Sequence, residues 1–257
     1  MENKPLIKGK KYLNTEPTKA ADFTKIRPIF KSYLSRPKEA KWVDLQIPVN
    51  NFDLNLNHKN DGISWLGHSS LFLQLGEVKI LMDPVFSERV SFVQWAGPKR
   101  VHKSLVDLSN IKDIQIDVLI LSHDHYDHMD YLSIKKLSNN ISRFIVPKGV
   151  KAILISWGIN SQCISELSWW EKTEYKDLEI TATPARHFSG RGIHNRDQTL
   201  WSSYVIKNQR KKIYFCGDSG YTQWFKEIGK RMGPFDLSLM PIGAYSEYWQ
   251  DIHTNPE

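Results

Sequence analysis

The segment Ser122–His128 sets three imidazoles and a carboxylate side by side: His123, His125, Asp127 and His128, in the pattern H-x-H-x-D-H. In an extended segment residues two apart point to the same side, so His123 and His125 share a face. Asp127 and His128 follow where the chain would turn into a helix, which brings four side chains to one strand end. Imidazole and carboxylate together are ligands for zinc, with manganese or iron as alternatives. A polar loop rich in surface histidines is the ordinary reading of such a stretch. One histidine would fit that reading, whereas three with a carboxylate at this spacing do not. Cations held there would lower the pKa of a water from about 15.7 towards about 7, so the chemistry expected is hydrolysis.

Two further strand ends carry the same residue types. Thr181–Arg186 leads to His187, and Lys212–Gly217 leads to Asp218. A lone His or Asp after a strand is ordinarily a turn or capping residue. These two gain weight from order and context, because ends of packed strands are where binding sites collect. Asp218 has two oxygens with which to bridge two ions. Asp83, after Val78–Met82, is either a carboxylate that orients a ligand imidazole or a turn residue before Pro84, with little to choose between the two. Lys99, Arg100 and Arg186 could meet a phosphate, although surface or structural pairing is the ordinary role for each. The two cysteines, Cys163 and Cys216, form no C-x-x-C pair, so neither a thiolate zinc site nor a disulfide framework is expected. They read as buried thiols in a reducing compartment. Cys216 lies two residues before Asp218, which keeps a direct metal contact open as the minor alternative.

The elements that must position these residues are legible from about Ile63 onward. Ile63–Leu66, Leu71–Leu75 and Val78–Met82 have strand character, with Gly76-Glu77 as a hairpin turn. Asp117–Leu121 is a buried-strand run, and Asp130 could cap a short helix carrying Leu132, Ile134 and Leu137. Phe144–Val146, Leu178–Thr183, Leu200–Ile206, Lys212–Cys216 and Leu237–Met240 read as further strands. Ala152–Ile159 suits either a buried strand or a short helix. Trp224, Phe225, Ile228 and Met232 have helical spacing that Gly233-Pro234 ends. Residues 1–60 are polar, without clear periodicity apart from one helix near Phe23–Leu34, and are expected to form an extension packing on a domain spanning 61–257. The chain has 257 residues, 40% hydrophobic and 25% charged, with a formal charge of +7, the balance of an ordinary globular protein. No apolar run approaches the ~20 residues of a membrane-spanning helix. The N-terminus lacks an apolar secretory segment, so a cytoplasmic location is expected. The positive charge fits a solvated surface first, and attraction to an anionic substrate or a peripheral membrane contact second. No nucleic-acid partner is expected, because no recognition signature accompanies the charge.

With those stretches in view, the chain resembles the metallo-β-lactamase superfamily, and within it the branch of N-acylphosphatidylethanolamine-hydrolysing phospholipase D and its bacterial relatives. The resemblance rests on WLGHSSLFL (65–73), LMDPVF (81–86), GPKR (97–100), SHDHYDHMDY (122–131), WWE (169–171), TPARHF (183–188), LWSSY (200–204), CGDSGY (216–221), EIGKRMGPFDL (227–237) and PIGAY (241–245). It implies an α+β fold, an αβ/βα four-layer sandwich with metals at one edge of two sheets. It implies that His123, His125 and His187 hold a first zinc, that Asp127 and His128 belong to a second, and that Asp218 bridges both. Asp127 would orient or deprotonate the attacking water, and His253 would lie over the site to meet substrate or leaving group. In this family a further histidine for the second metal follows another helix and strand beyond the position of His253, so the resemblance also implies an incomplete second set within 61–257. The implied substrate is a phospholipid phosphodiester, with a small-molecule sugar-phosphate lactone as runner-up and a metal-binding protein without turnover as the non-enzymatic alternative. Among nine tryptophans, Trp95, Trp169, Trp170 and Trp249 could line an acyl-chain groove, although core packing is the ordinary place for most of them.

Overall fold

In the computed structural model, which describes residues 4–19, 35, 61–100, 102–108, 115–192, 194–244 and 248–255, the chain opens with a small antiparallel hairpin, β1 (Leu6–Lys8) and β2 (Lys11–Leu13). Its strands are three residues each and largely exposed, too short for any periodicity to betray them in the sequence. The helix expected near Phe23–Leu34 and the boundary expected at residues 60 and 61 lie outside the described residues.

The first large sheet starts as an antiparallel meander of β3 (Gly62–Trp65), β4 (Leu71–Leu75) and β5 (Val78–Met82). It continues with three parallel strands, β6 (Ile116–Ile120), β7 (Ile141–Pro147) and β8 (Ile164–Leu167). All of β6 is buried, as a central parallel strand covered on both faces must be. The crossovers carry α1 (Tyr131–Leu137), capped by the Asp130 carboxylate at Ser133 N, and α2 (Val150–Ser156). The second sheet runs β9 (Lys172–Tyr175), β10 (Leu178–Thr183), β11 (Ser203–Lys207) and β12 (Lys212–Phe215) antiparallel. It then adds β13 (Leu237–Leu239) parallel to β12 after helix α3 (Trp224–Met232).

Three apolar clusters give the layering. Ile80, Val118, Ile145, Ile180, Tyr204 and Phe215 fill the space between the two sheets. Leu81, Leu119 and Phe144 face outward against Ile134 of α1 and Leu154 of α2. Val205, Tyr214 and Cys216 face Trp224 and Ile228 of α3. The result is the helix–sheet–sheet–helix sandwich the sequence led us to expect.

The differences are local. Leu200–Ile206 becomes a strand only from Ser203, because Leu200 and Trp201 leave the ladder to pack with Trp169 and Ala185. Ala152–Ile159 resolves as helix α2, with Trp157 as its C-terminal cap. Strands β8 and β9 mix polar and apolar residues in short runs and give no sequence signal. Among the described residues no helix is long and apolar enough to cross a membrane.

Candidate metal centre

The carboxyl ends of β5, β6, β10 and β12 meet at one edge of the two sheets, and each delivers a polar residue there. At the end of β5, Asp83 is fully buried with φ +43°. Its carboxylate accepts from Ser122 N at 2.7 Å, Ser122 Oγ at 2.5 Å and His128 Nδ1 at 2.7 Å. Of the two roles open to Asp83, the geometry is that of the carboxylate that orients an imidazole. With Nδ1 so engaged, His128 turns Nε2 inward to 3.1 Å from Asp218 Oδ2.

After β6 the side chains of residues 123 to 127 alternate. Asp124 and Tyr126 point away from the cluster and grip the loop after His187. Asp124 Oδ1 accepts from Gly190 N at 2.7 Å, and the Tyr126 hydroxyl donates to Arg191 O at 2.9 Å. Arg191 in turn lies 4.0 Å over the Tyr126 ring and donates to the carbonyls of Asp124 and Met129. His123, His125 and Asp127 point inward. His187 Nδ1 donates to Ile252 O at 3.0 Å, which aims Nε2 at His125 Nδ1, 3.3 Å away. Asp218 reaches the cluster because Gly217 (φ +62°) presses against β6, where an added Cβ would fall 2.5 Å from Ser122 Cβ.

All six residues expected as ligands are therefore brought together. The candidate ligand atoms of His123, His125 and His187 lie within 4.8 Å of one another, as do those of His123, His128 and Asp218, and those of His68, Asp127 and His128. His253 stands beside them with Nδ1 3.7 Å from Asp218 Oδ2.

At three of the rings charge is arranged as a metal site needs it. Burial, reinforced by the neighbouring imidazoles, holds His123 well below its ordinary pKa. Burial likewise brings His125 to about 3 and His187 to about 4. These rings are neutral at physiological pH, the form that ligates. Burial works to raise Asp127 and Asp218, but the facing imidazoles, His128 foremost, hold both well below the usual carboxylate range. Burial opposes a proton on His128, yet Asp218 and Asp127 outweigh it and raise the ring well above its ordinary value, so a cation taking Nε2 would have to displace that proton. The residues fit divalent cations on two counts. His123 Nε2 and His125 Nδ1 face each other at 2.8 Å, and His128 Nε2 is buried without an aligned hydrogen-bond partner although Asp218 is near. Those are atoms a cation would take, and the His/Asp donor set suits zinc, manganese or iron.

Of the two roles open to the three basic residues, the structure shows the ordinary one, structural pairing. Lys99 pairs with Glu88 at 2.7 Å, and Arg100 donates to the carbonyls of Ser87 and Val85. Arg186 clamps Thr18, Pro17, Tyr221 and Asp251. All three are engaged structurally, so their basic heads serve the fold. None of the four tryptophans is among the walls of the cavity beside the cluster. Trp169 is core, Trp170 packs on Trp224 under Arg231, Trp249 bonds Ala244 O, and Trp95 faces solvent. A cavity of about 630 Å³ does open beside the cluster, with Trp65, Leu71, Phe215, Leu239 and Ile242 among its walls and His68 and Asp218 at its polar end.

The sequence reading assigned no role to His68 or Asn14. His68 Nε2 lies 3.1 Å from Asp127 Oδ2, and a histidine directly after a turn glycine is the one mark it leaves in the sequence. Asn14 exchanges two hydrogen bonds with the His187 backbone across 173 positions, a contact no local pattern could announce.

Cys216 packs beneath α3 with Trp224 and Ile228, and burial pushes its thiol up to about 12. A thiol so placed is neither thiolate nor ligand. Cys216→Ala is expected to keep the full metal content measured by elemental analysis. Complete metal loss in a folded variant would return this sulfur to the coordination sphere.

Comparison with known proteins places the whole arrangement. Residues 78–257 match the family model described as the beta-lactamase superfamily domain. An uncharacterised protein of Mycobacterium tuberculosis is 43% identical over 196 residues, 76% of this chain and 52% of that protein. The N-acyl-phosphatidylethanolamine-hydrolyzing phospholipase D 1 of Caenorhabditis elegans is 35% identical over 240 residues, 88% of this chain and 67% of that protein. Among solved structures, a metallo hydrolase of the archaeon Ignicoccus hospitalis superposes with a TM-score of 0.54 at 22% identity, covering 74% of this chain and 72% of that one. The chain thus spans about half the length of its mycobacterial relative.

Proposed function

The chain belongs to the beta-lactamase superfamily of metal-dependent hydrolases, and from that premise we infer that it holds two cations, zinc foremost, and cleaves the phosphodiester of an N-acylated phospholipid. The observation that carries this reading is the opening of an apolar cavity directly onto the His/Asp cluster. A phosphodiester with a long apolar tail fits that pairing of surfaces. The printed activity of the Caenorhabditis elegans relative agrees with it.

His123, His125 and His187 would hold the first ion, Asp127 and His128 the second, with Asp218 shared. Bound there, the ions supply Lewis acidity towards substrate oxygens and bring the pKa of water down to about 7. Asp127, ionised at neutral pH because His128 faces it, accepts a proton from the attacking water or orients it. His253, on the far side of Asp218, binds the substrate phosphate or donates a proton to the leaving oxygen. Trp65 and Ile242 are 63% and 69% exposed at the cavity, a placement that suits approach to a lipid surface from the cytoplasmic side.

The test is turnover of N-acylphosphatidylethanolamine in mixed micelles, read as phosphatidic acid and N-acylethanolamine. Activity should vanish on chelation and return with added zinc, manganese or iron. Folded, metal-replete protein that leaves the phospholipid intact but opens a sugar-phosphate lactone would replace this substrate by the lactone.

A further inference from the structure

The metal reading uses His187 but gives no role to Asn14, whose side chain is bound to the His187 backbone across 173 positions. We propose that Asn14 is a positioning residue of the metal centre, the middle of a strap, residues 12–19, that holds His187 and the acceptor of its ring in the geometry a cation needs. The inference rests on the reading of His187 as a ligand of the first cation and adds to it a residue from a distant part of the chain.

Strand β10 ends at Thr183, so His187 lies past the ladder that would pair its backbone. Asn14 takes the place of a neighbouring strand. Its Nδ2 donates to His187 O at 2.7 Å, and its Oδ1 accepts from His187 N at 3.2 Å. A carboxamide offers a donor and an acceptor on one planar group, the same pair a peptide unit offers. The strap is tied down on both sides of this contact. Before and beside it, Tyr12 N donates to Asp197 O at 2.8 Å, Thr15 Oγ1 accepts from Trp224 Nε1 at 2.8 Å, and Glu16 Oε1 accepts from Gln223 N at 3.1 Å. After it, Arg186 donates to Pro17 O and Thr18 Oγ1, and Lys19 N donates to Asp251 Oδ2 at 2.9 Å. Asp251 also pairs with Arg186 at 2.9 Å, and the next residue, Ile252, supplies the carbonyl that accepts from His187 Nδ1. The backbone of His187 and the acceptor of its ring are thus fastened to one strap. Arg186 N donates to Ser219 Oγ, and Gly220 N donates to Arg186 O, so the turn after Asp218 is joined to the same assembly. Partners that orient a ligand in this way typically change metal affinity by about 10–100-fold when removed.

The rival role is a strap that adds stability and nothing else. Cobalt(II) titration of the full chain separates the two, read by affinity and by the d–d absorption of the bound ion, on the native protein, Asn14→Ala and Thr15→Val. Thr15→Val cuts the tie to Trp224 and leaves both bonds to His187 in place, so it reports what loosening the strap does by itself. Circular dichroism and urea unfolding establish the fold of each variant. Asn14→Ala should bind cobalt about tenfold more weakly or worse, with a shifted d–d band, while Thr15→Val keeps the native affinity and band. Should Asn14→Ala not fold, Asn14→Asp keeps the acceptor for His187 N, loses only the donor to His187 O, and should show the same weakening and shift. Native affinity and band in the folded Asn14 variant, or equal weakening in Thr15→Val, would reduce the strap to a stabilising element and leave His187 standing as a ligand. A native protein that takes up no cobalt would overturn both.

Discussion

His123→Ala is expected to abolish both metal retention and hydrolysis in a chain that still folds. His123, like His128, belongs to two of the three ligand groups, and its loss strips a donor from the first ion. It is buried and neutral, held so by burial and by the imidazoles of His128, His125 and His187, and no neighbouring side chain can move into its place without leaving its own bonds. Removing an outer partner of a metal ligand typically costs about 10–100-fold in affinity or activity, and removing a ligand itself should exceed that. Metal per chain after exhaustive dialysis, measured beside a circular dichroism spectrum, is the direct check. A folded His123→Ala protein with the native metal content would remove the centre from this position.

The second large effect is expected at Asp83, which touches no substrate. Its carboxylate serves Ser122 N, Ser122 Oγ and His128 Nδ1 in a site closed to solvent. Asp83→Ala would leave a buried imidazole and a buried backbone N–H without their acceptor, a loss on the order of 3–5 kcal/mol of stability. Asp83→Asn separates fold from function. The amide keeps one acceptor oxygen for Ser122 but offers a second donor to His128 Nδ1–H, so the ring loses its orientation. Urea unfolding should therefore show a smaller loss for Asp83→Asn than for Asp83→Ala. Metal competition should show both weakened, the Asn variant by about 10–100-fold. Native metal affinity in Asp83→Asn would make Asp83 a structural turn residue after all.

How much of this was legible varies with the range of the interaction. H-x-H-x-D-H could be read directly because alternation along an extended segment is a local property, and the structure keeps it: His123, His125 and Asp127 inward, Asp124 and Tyr126 outward. The apolar runs of β4, β5, β6 and β10 were legible for the same reason, and α3 was marked by its spacing and its Gly-Pro stop. Lys99, Arg100 and Arg186 show the opposite. Nothing in a run of residues tells whether a guanidinium meets a ligand or a carbonyl, and here the carbonyls of Ser87, Val85, Tyr221 and Pro17 claim Arg100 and Arg186. The tryptophans show the same limit: Trp169, raised for an acyl groove, is buried with Trp201 and Ala185, while Trp65, which was not, lines the cavity.

From residue type and spacing alone came the chemistry: neutral imidazoles with carboxylates, suited to holding cations and making water reactive. Spacing also marked the strands on whose ends those groups sit. Tertiary structure alone decided that the ends of β5, β6, β10 and β12 meet, that Asp83 orients His128, and that His68 joins Asp127. Side-chain alternation is set by backbone geometry over two residues. Convergence depends instead on two sheets packing face to face, which brings together residues as far apart in sequence as His128 and Asp218, a contact no local pattern encodes.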